Sequence, residues 1–388
     1  MFKVLKKDKN TNARLGVIET KHGVIETPSY VVVGTHGEVR ELKASELTKT
    51  KTQVIIVNTF HMWRKLKDGG LKDFEGLHKY MGWDSAIMTD SGGFQVFSMG
   101  AAREFGVGKV AGKPNYFMAL GTEKGSVRVD ENGVYFFEDG KEFYLDAEKS
   151  IKIQEKLGAD IVFAFDEPTS PMHDHGYTEK SLERTHKWGL RSLEAKKSDQ
   201  LIYGIVQGGS FKDLRIQSAE FISKLDFDGI GIGGAFGSSF GSTKHETLEE
   251  LRWLNPLLPE NKPRHLLGIG LVDDLFAGVS AGIDTFDCVV PTREARHGSL
   301  WTLRGRIDIK KSAFKDDNNI IDEICGCFVC SEKQIKRHEL RSLFKEKNPE
   351  AGRLASSHNV YFFNNLMQEM RQAIKDKGLQ ELKQKYAL

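Results

Sequence analysis

The chain has 388 residues, a formal net charge of +2, 39% apolar residues and 28% charged residues. That balance is ordinary for a globular protein long enough to bury one large core and a smaller one. No apolar run approaches the ~20 residues of a membrane span, and so small a charge surplus does not by itself announce a polyanionic partner.

In chain order, the opening MFKVLKKDKN is basic but lacks an apolar signal core. With only four cysteines in the chain, a reducing, cytoplasmic setting is expected. Residues 13–27 carry a hairpin pattern that should cap one end of the fold. Short runs rich in β-branched residues then recur at Tyr30–Val33, Val54–Val57, Ala86–Met88, Ile161–Phe165, Leu201–Val206, Gly229–Ile232, His265–Ile269 and Ile283–Phe286. Each is too short for a helix and reads as a fully buried strand. Helical spacing fills the gaps, for example at Ala147–Leu157 and Glu179–Lys197. Eight strands alternating with helices predict an α/β fold, a (β/α)₈ TIM barrel, in preference to an open sheet. About 100–142 the rhythm breaks. Asn132-Gly133 and Asp139-Gly140 are hairpin turns between alternating stretches, which predicts an inserted β-meander over one barrel rim. The expected division is a barrel over 1–310 and a small metal-binding subdomain with a closing helix over 311–388.

That subdomain is predicted from Cys325-Gly-Cys327-Phe-Val-Cys330, followed by His358. Three thiols within six residues suit a tetrahedral soft-metal site, with Zn²⁺ the usual occupant. A disulfide fits poorly, since neighbouring cysteines bridge badly and one thiol would be left over. Four protein ligands leave no open position, so the metal is expected to be structural. After His358, residues 361–376 read as an amphipathic helix. Basic residues flank the cluster: Lys333, Lys336, Arg337, His338, Arg341, Lys345, Lys347 and Arg353.

Polar residues gather where the predicted strands end. They include Asn58-Thr59, Thr89-Asp90-Ser91-Gly92-Gly93, Asp166-Glu167, Gln207-Gly208-Gly209, Gly233-Gly234 and Asp287. In a barrel these positions share the C-terminal rim, where active sites form. Strand-end aspartates can serve as nucleophile or acid/base at an anomeric carbon, so Asp90, Asp166 and Asp287 are the chemically loaded residues. The glycines after Asp90 allow backbone to approach a bound group closely.

The strings Thr89-Asp-Ser-Gly-Gly-Phe-Gln-Val-Phe-Ser98 and Phe286-Asp-Cys-Val-Val-Pro-Thr-Arg-Glu-Ala-Arg-His-Gly298, with the Cys-x-Cys-x-x-Cys…His cluster, resemble queuine/archaeosine tRNA-ribosyltransferases. These are the tRNA-guanine transglycosylases, here in their bacterial form. The resemblance runs from about 12 to 380. It implies a TIM barrel with a zinc subdomain, one structural Zn²⁺ per chain, and a homodimer. It also implies exchange of guanine at the wobble position of tRNAs with GUN anticodons for a 7-deazaguanine base. By resemblance, Asp287 is the nucleophile and Asp90 the acid/base. Asp166 pairs with the N–H edge of the base, Gln207 and Gly234 address its carbonyl, and Phe94 and Leu267 sandwich it, with Ser91, Gly92 and Gly93 lining the same pocket. Thr292, Arg293 and Arg296, and the loop from Gly268 to Asp274, are implied RNA contacts.

Two positions depart from the family pattern. Pro168 stands where a Cys is usual, and no acid follows Gly233-Gly234 in the stretch 235–239. A missing carboxylate there weakens the case for a cationic aminomethyl base and leaves queuine or another 7-deazaguanine open. A silent tRNA-binding subunit and a small-molecule glycosidase are the alternatives. Retention of both Asp90 and Asp287 argues against the first, and a metal-stapled basic appendage against the second.

Overall fold

The computed structural model describes residues 1–97, 127–138, 141–233, 244–376 and 378–386. An antiparallel sheet comes first: β1 (Phe2–Lys7), β2 (Arg14–Thr20) and β3 (Gly23–Thr27). The barrel opens with β4 (Ser29–Val33), β5 (Val54–Val57) and β6 (Ala86–Thr89). A second antiparallel sheet follows, β7 (Val127–Val129), β8 (Gly133–Glu138) and β9 (Lys141–Asp146). The barrel then continues through β10 (Ile161–Phe163), β11 (Leu201–Val206), β12 (Gly229–Ile232), β13 (Arg264–Leu266) and β14 (Thr285–Cys288). All eight barrel strands are parallel. The ring closes through β14 pairing with β4 and β6 with β10.

Strand alternation sorts the apolar residues into two layers. Val31, Val54, Ile56, Met88, Phe163 and Ile205 fill the barrel interior. Their neighbours Tyr30, Val32, Ile55, Val57, Ile87 and Val162 pack outward on the helices. Ile18 of β2 and Ile25 of β3 join the interior cluster, so the predicted N-terminal hairpin does close the barrel floor.

Three strands differ from the sequence reading by two residues or more at an end. β10 stops at Phe163, leaving Phe165-Asp166 free to enter the rim. β13 ends at Leu266 because the chain turns at Gly268, whose φ of +73° favours glycine. β14 starts two residues late, since Ile283 N still bonds back to Gly278 O and Asp284 closes the loop. The strand therefore takes Asp287 into its last turn instead of ending before it.

A hairpin, β15 (Ser299–Thr302) with β16 (Gly305–Asp308), leads to a small lobe with its own core of Leu300, Ile309, Ile321, Val329 and Leu340. The final long helix runs Pro349–Asp376, twelve residues earlier than predicted at its start, with Pro in the first turn where its missing N–H costs nothing. Its Ala351, Leu354 and Ala355 pack into the lobe, and its Phe363, Leu366, Met367 and Met370 pack against the barrel. One helix thus fastens the lobe to the barrel. Among the described residues, no helix is long and apolar enough to cross a membrane. The described part of the predicted meander is a three-stranded sheet; the turn Asp139-Gly140 and residues 98–126 lie outside the described residues.

Candidate active site and metal cluster

The barrel places Asp90 just past β6, Asp166 past β10, Gln207 at the end of β11, Gly268 past β13 and Asp287 in β14. Strand order sets these around one rim.

Asp90 is held by four donors. Thr59 N and Gly92 N reach its Oδ1 at 2.9 and 3.1 Å; Asn58 Nδ2 and Gln95 Nε2 reach Oδ2 at 2.5 and 3.2 Å. Asn58 also caps the helix Thr59–Lys72 by accepting from His61 N, so one side chain fixes both helix start and carboxylate. Burial pushes Asp90 up to about 7 against these hydrogen bonds, and the charge of Asp287 raises it further.

Asp287 retains a 16% exposed side chain. Its Oδ1 accepts from Gly268 N at 3.0 Å and lies 3.1 Å from Nε2 of His265. The loop glycine expected to touch RNA therefore spends its N–H on the carboxylate. The exposed Gly268 Cα still faces solvent.

Asp166, Ser91 and Gln207 form a buried polar cluster. Ser91 Oγ donates to Asp166 Oδ1 at 2.8 Å and Gln207 Nε2 to Oδ2 at 2.7 Å. Burial raises Asp166 to about 6, with the two hydrogen bonds opposing it. Gly93 is required here. A Cβ on it would sit 2.7 Å from the carbonyl oxygen of Asp166. Gln207 Oε1 is buried and has no hydrogen-bond partner among the described residues. An acceptor in that state costs about 1–3 kcal/mol, which an N–H-bearing ligand relieves. Phe94 is half-buried on the helical segment that opens at Gly93, and Leu267 is half-buried against the interior cluster. Gly234 and the stretch 235–239 lie outside the described residues.

Thr292, Arg293 and Arg296 share the short helix Val290–Arg296, directly after β14. Thr292 is buried, while the two arginines are partly exposed. Asp274 occupies the first turn of the helix Val272–Ser280, where the helix dipole favours an acid. The basic run beside the lobe is divided. Arg337 pairs with Asp317 at 3.2 Å and Arg353 with Glu46 and Glu350, whereas Lys336, Lys345 and Lys347 are exposed.

The four predicted metal ligands converge. Sγ of Cys325, Cys327 and Cys330 lies 3.8, 3.5 and 3.4 Å from Nδ1 of His358. A tetrahedral zinc with ~2.3 Å sulfur and ~2.1 Å nitrogen bonds needs about 3.6 Å between such atoms, so the set fits the ion. His358 Nε2 donates to Trp301 O at 2.8 Å, which leaves Nδ1 with a lone pair for metal. His22, His78 and Asp160 also come within ligand reach of each other at the barrel floor. His22 Nδ1 hydrogen-bonds Asp160 at 2.8 Å, His78 Nε2 stands within ion-pair reach of it at 3.3 Å, and the two rings stack at 3.5 Å, so that group reads as a clamp on Asp160.

Sequence reasoning missed His265. Its signal, a histidine opening a buried strand, has no meaning until the register places it beside β14.

A family model described as queuine tRNA-ribosyltransferase matches residues 8–388. The chain is 40% identical over 388 residues to a queuine tRNA-ribosyltransferase of Halothermothrix orenii, covering 99% of this chain and 96% of that one. It is 41% identical over 389 residues to one of Streptococcus suis, covering 99% and 95%.

Proposed function

The chain belongs to the queuine tRNA-ribosyltransferase family, and from that premise we propose that it exchanges guanine at the wobble position of GUN-anticodon tRNAs for a 7-deazaguanine base. The enzyme is a tRNA-guanine transglycosylase, a pentosyltransferase. The exchange proceeds by double displacement. An Asp287 oxygen attacks the ribose C1′ as the bond to guanine breaks, and the oxocarbenium-like transition state is stabilised by that fixed carboxylate. Asp90 in its protonated form delivers a proton to the departing base and, as carboxylate, takes one from the incoming base. A group at about 7 is matched to both tasks at neutral pH.

Asp166 accepts from the N–H edge of the base. Gln207, freed from Asp166, turns its amide toward the carbonyl of the base, and Phe94 and Leu267 cover the two faces. Ser91, Gly92 and Gly93 line the pocket beside them. Arg293 and Arg296 reach the neighbouring nucleotides, with Thr292 and the loop from Gly268 to Asp274 alongside. Zinc at Cys325, Cys327, Cys330 and His358 staples the lobe that carries the exposed lysines and stays outside the chemistry.

The observation that carries this reading is that Asp90 follows β6 and Asp287 lies in β14 of one closed barrel, with a buried Asp–Ser–Gln cluster past β10 and β11. Labelled-guanine exchange into unmodified GUN tRNA tests it. Wild type incorporates label and Asp287→Ala does not; incorporation by that variant at the wild-type rate would refute the nucleophile. Metal analysis should return about one zinc per chain, and a folded metal-free preparation would contradict the staple.

A further inference from the structure

We propose that His265 is a positioning residue for Asp287, locked in one tautomer by Thr285, and that this lock selects Oδ2 of Asp287 as the attacking atom. The inference rests on the reading of Asp287 as nucleophile.

β13 and β14 lie side by side with His265 opposite Thr285. Thr285 and Asp287 are two apart on β14, so their side chains share the barrel-facing side. His265 is fully buried, its ring packed 5.4 Å from that of Phe163. Nδ1 lies 2.9 Å from Thr285 Oγ1 and Nε2 lies 3.1 Å from Asp287 Oδ1. A carboxylate oxygen only accepts, so Nε2 carries hydrogen. In the neutral ring Nδ1 is then bare and accepts from the Thr285 hydroxyl, which rotates freely to donate. The opposite tautomer would set a ring lone pair against the carboxylate. Threonine is therefore suited to this position, because valine of the same shape would leave Nδ1 without a donor.

The consequence falls on the carboxylate. Oδ1 takes two donors, His265 Nε2–H and Gly268 N–H at 3.0 Å. Among the described residues no hydrogen bond engages Oδ2. Two fixed donors on one oxygen hold the plane of the group and leave the other oxygen its full charge. In the exchange, the bond from Oδ2 to C1′ forms as the C1′–N bond to guanine breaks. The electron pair leaves with guanine, and the proton comes from Asp90.

The test is labelled-guanine exchange at saturating tRNA by His265→Phe, His265→Gln and Thr285→Val, with Asp287→Ala alongside. His265→Phe removes the donor and should lower kcat about 100-fold, the scale set by misplacing a reacting group by ~1 Å, with the guanine KM within about threefold. Thr285→Val should lower kcat about tenfold. Glutamine keeps an N–H within reach and should restore kcat to within about tenfold of wild type. Wild-type kcat in both His265→Phe and Thr285→Val would overturn the proposal. So would a loss seen only in KM, or a failure of glutamine to rescue in a variant that melts like wild type. Should the phenylalanine variant not fold, Thr285→Val and His265→Gln decide by the same criteria. Exchange by Asp287→Ala would instead bring down the nucleophile assignment, whatever His265 does.

Discussion

Asp160 and Asp166 stand at the two ends of the same strand, β10, and both are buried. At the floor, Asp160 accepts from Ile87 N, His22 N and His22 Nδ1 at 2.9, 3.1 and 2.8 Å, with His78 Nε2 at 3.3 Å. Burial pushes its pKa up, but the hydrogen bonds from His78, Ile87 and His22 outweigh it and hold it below the usual carboxylate range. At the rim, the side-chain donors to Asp166 among the described residues are the neutral Ser91 and Gln207, and burial wins, raising it to about 6. β14 repeats the contrast. Asp284 before it is clamped by Arg14 Nε and Nη2 at 3.0 and 2.5 Å, although burial still raises its pKa, while among the described residues no hydrogen bond engages Oδ2 of Asp287 within it. A buried acid with its full set of partners is a staple. Asp90 and Asp166, met by neutral donors where Asp160 and Asp284 have histidine or arginine, are available for chemistry, and in a TIM barrel such acids lie at the C-terminal rim.

Substitutions at the two ends should therefore fail in different ways. The largest effect is expected at the rim: Asp287→Ala should lower exchange about 10⁴-fold or more without moving the melting temperature. Unfolding of that variant would make Asp287 a staple as well and erase the contrast. Next, Arg14→Leu strips the buried Asp284 carboxylate of its guanidinium clamp and leaves it the backbone N–H of Arg264 at 2.7 Å. Chemical denaturation should show a loss of about 3–5 kcal/mol, with the exchange rate per folded molecule unchanged.

Asp160→Asn should cost about 1–3 kcal/mol and leave kcat within about twofold. Its pH window is set by both partners. Asp160, lowered in the fold, contributes above its unfolded value of ~3.9 and loses that share as pH falls through its folded value. His78 is raised in the fold by hydrogen bonds to Asp160 and Trp83 O against the effect of burial, so its share is full below ~6.5 and fades as pH climbs through its folded value. The difference between variant and wild type should thus be greatest between about pH 4 and 6.5 in urea titrations.

The smallest effect on stability has the opposite sign. Asp90, at about 7, holds a proton in the folded state that the unfolded chain has released. Stability therefore falls as pH rises from ~3.8 to about 7, and the full penalty remains above that. Asp90→Asn should abolish exchange yet stabilise the protein at pH 8 by roughly 1–2 kcal/mol, discounted for partial exposure, and by nothing at pH 4. Equal stability at both pH values would show that Asp90 carries no such burden.

The same contrast explains what could be read from the sequence. The metal cluster is local: three of its ligands lie within six residues, so spacing alone announces it. The barrel strands are legible because burial on both faces writes continuous β-branched runs. The rim acids gain meaning from strand-end glycines and from the family resemblance. The floor acids carry no such mark. Asp160 and Asp284 look like ordinary loop residues, and their partners His22, His78 and Arg14 lie far away in the chain. His265 fails for a related reason, since its role depends on strand register. The early start of the final helix was hidden because residues 349–360 serve two cores at once and show no single apolar stripe.

The most direct measurement is on the covalent step. Wild-type protein mixed with unmodified GUN tRNA, quenched in acid, and digested with nuclease and protease should yield one nucleotide-bearing peptide by mass spectrometry. The account predicts the adduct on Asp287 and its absence from Asp287→Asn. An adduct on Asp90, or none under conditions where labelled guanine is exchanged, would contradict it.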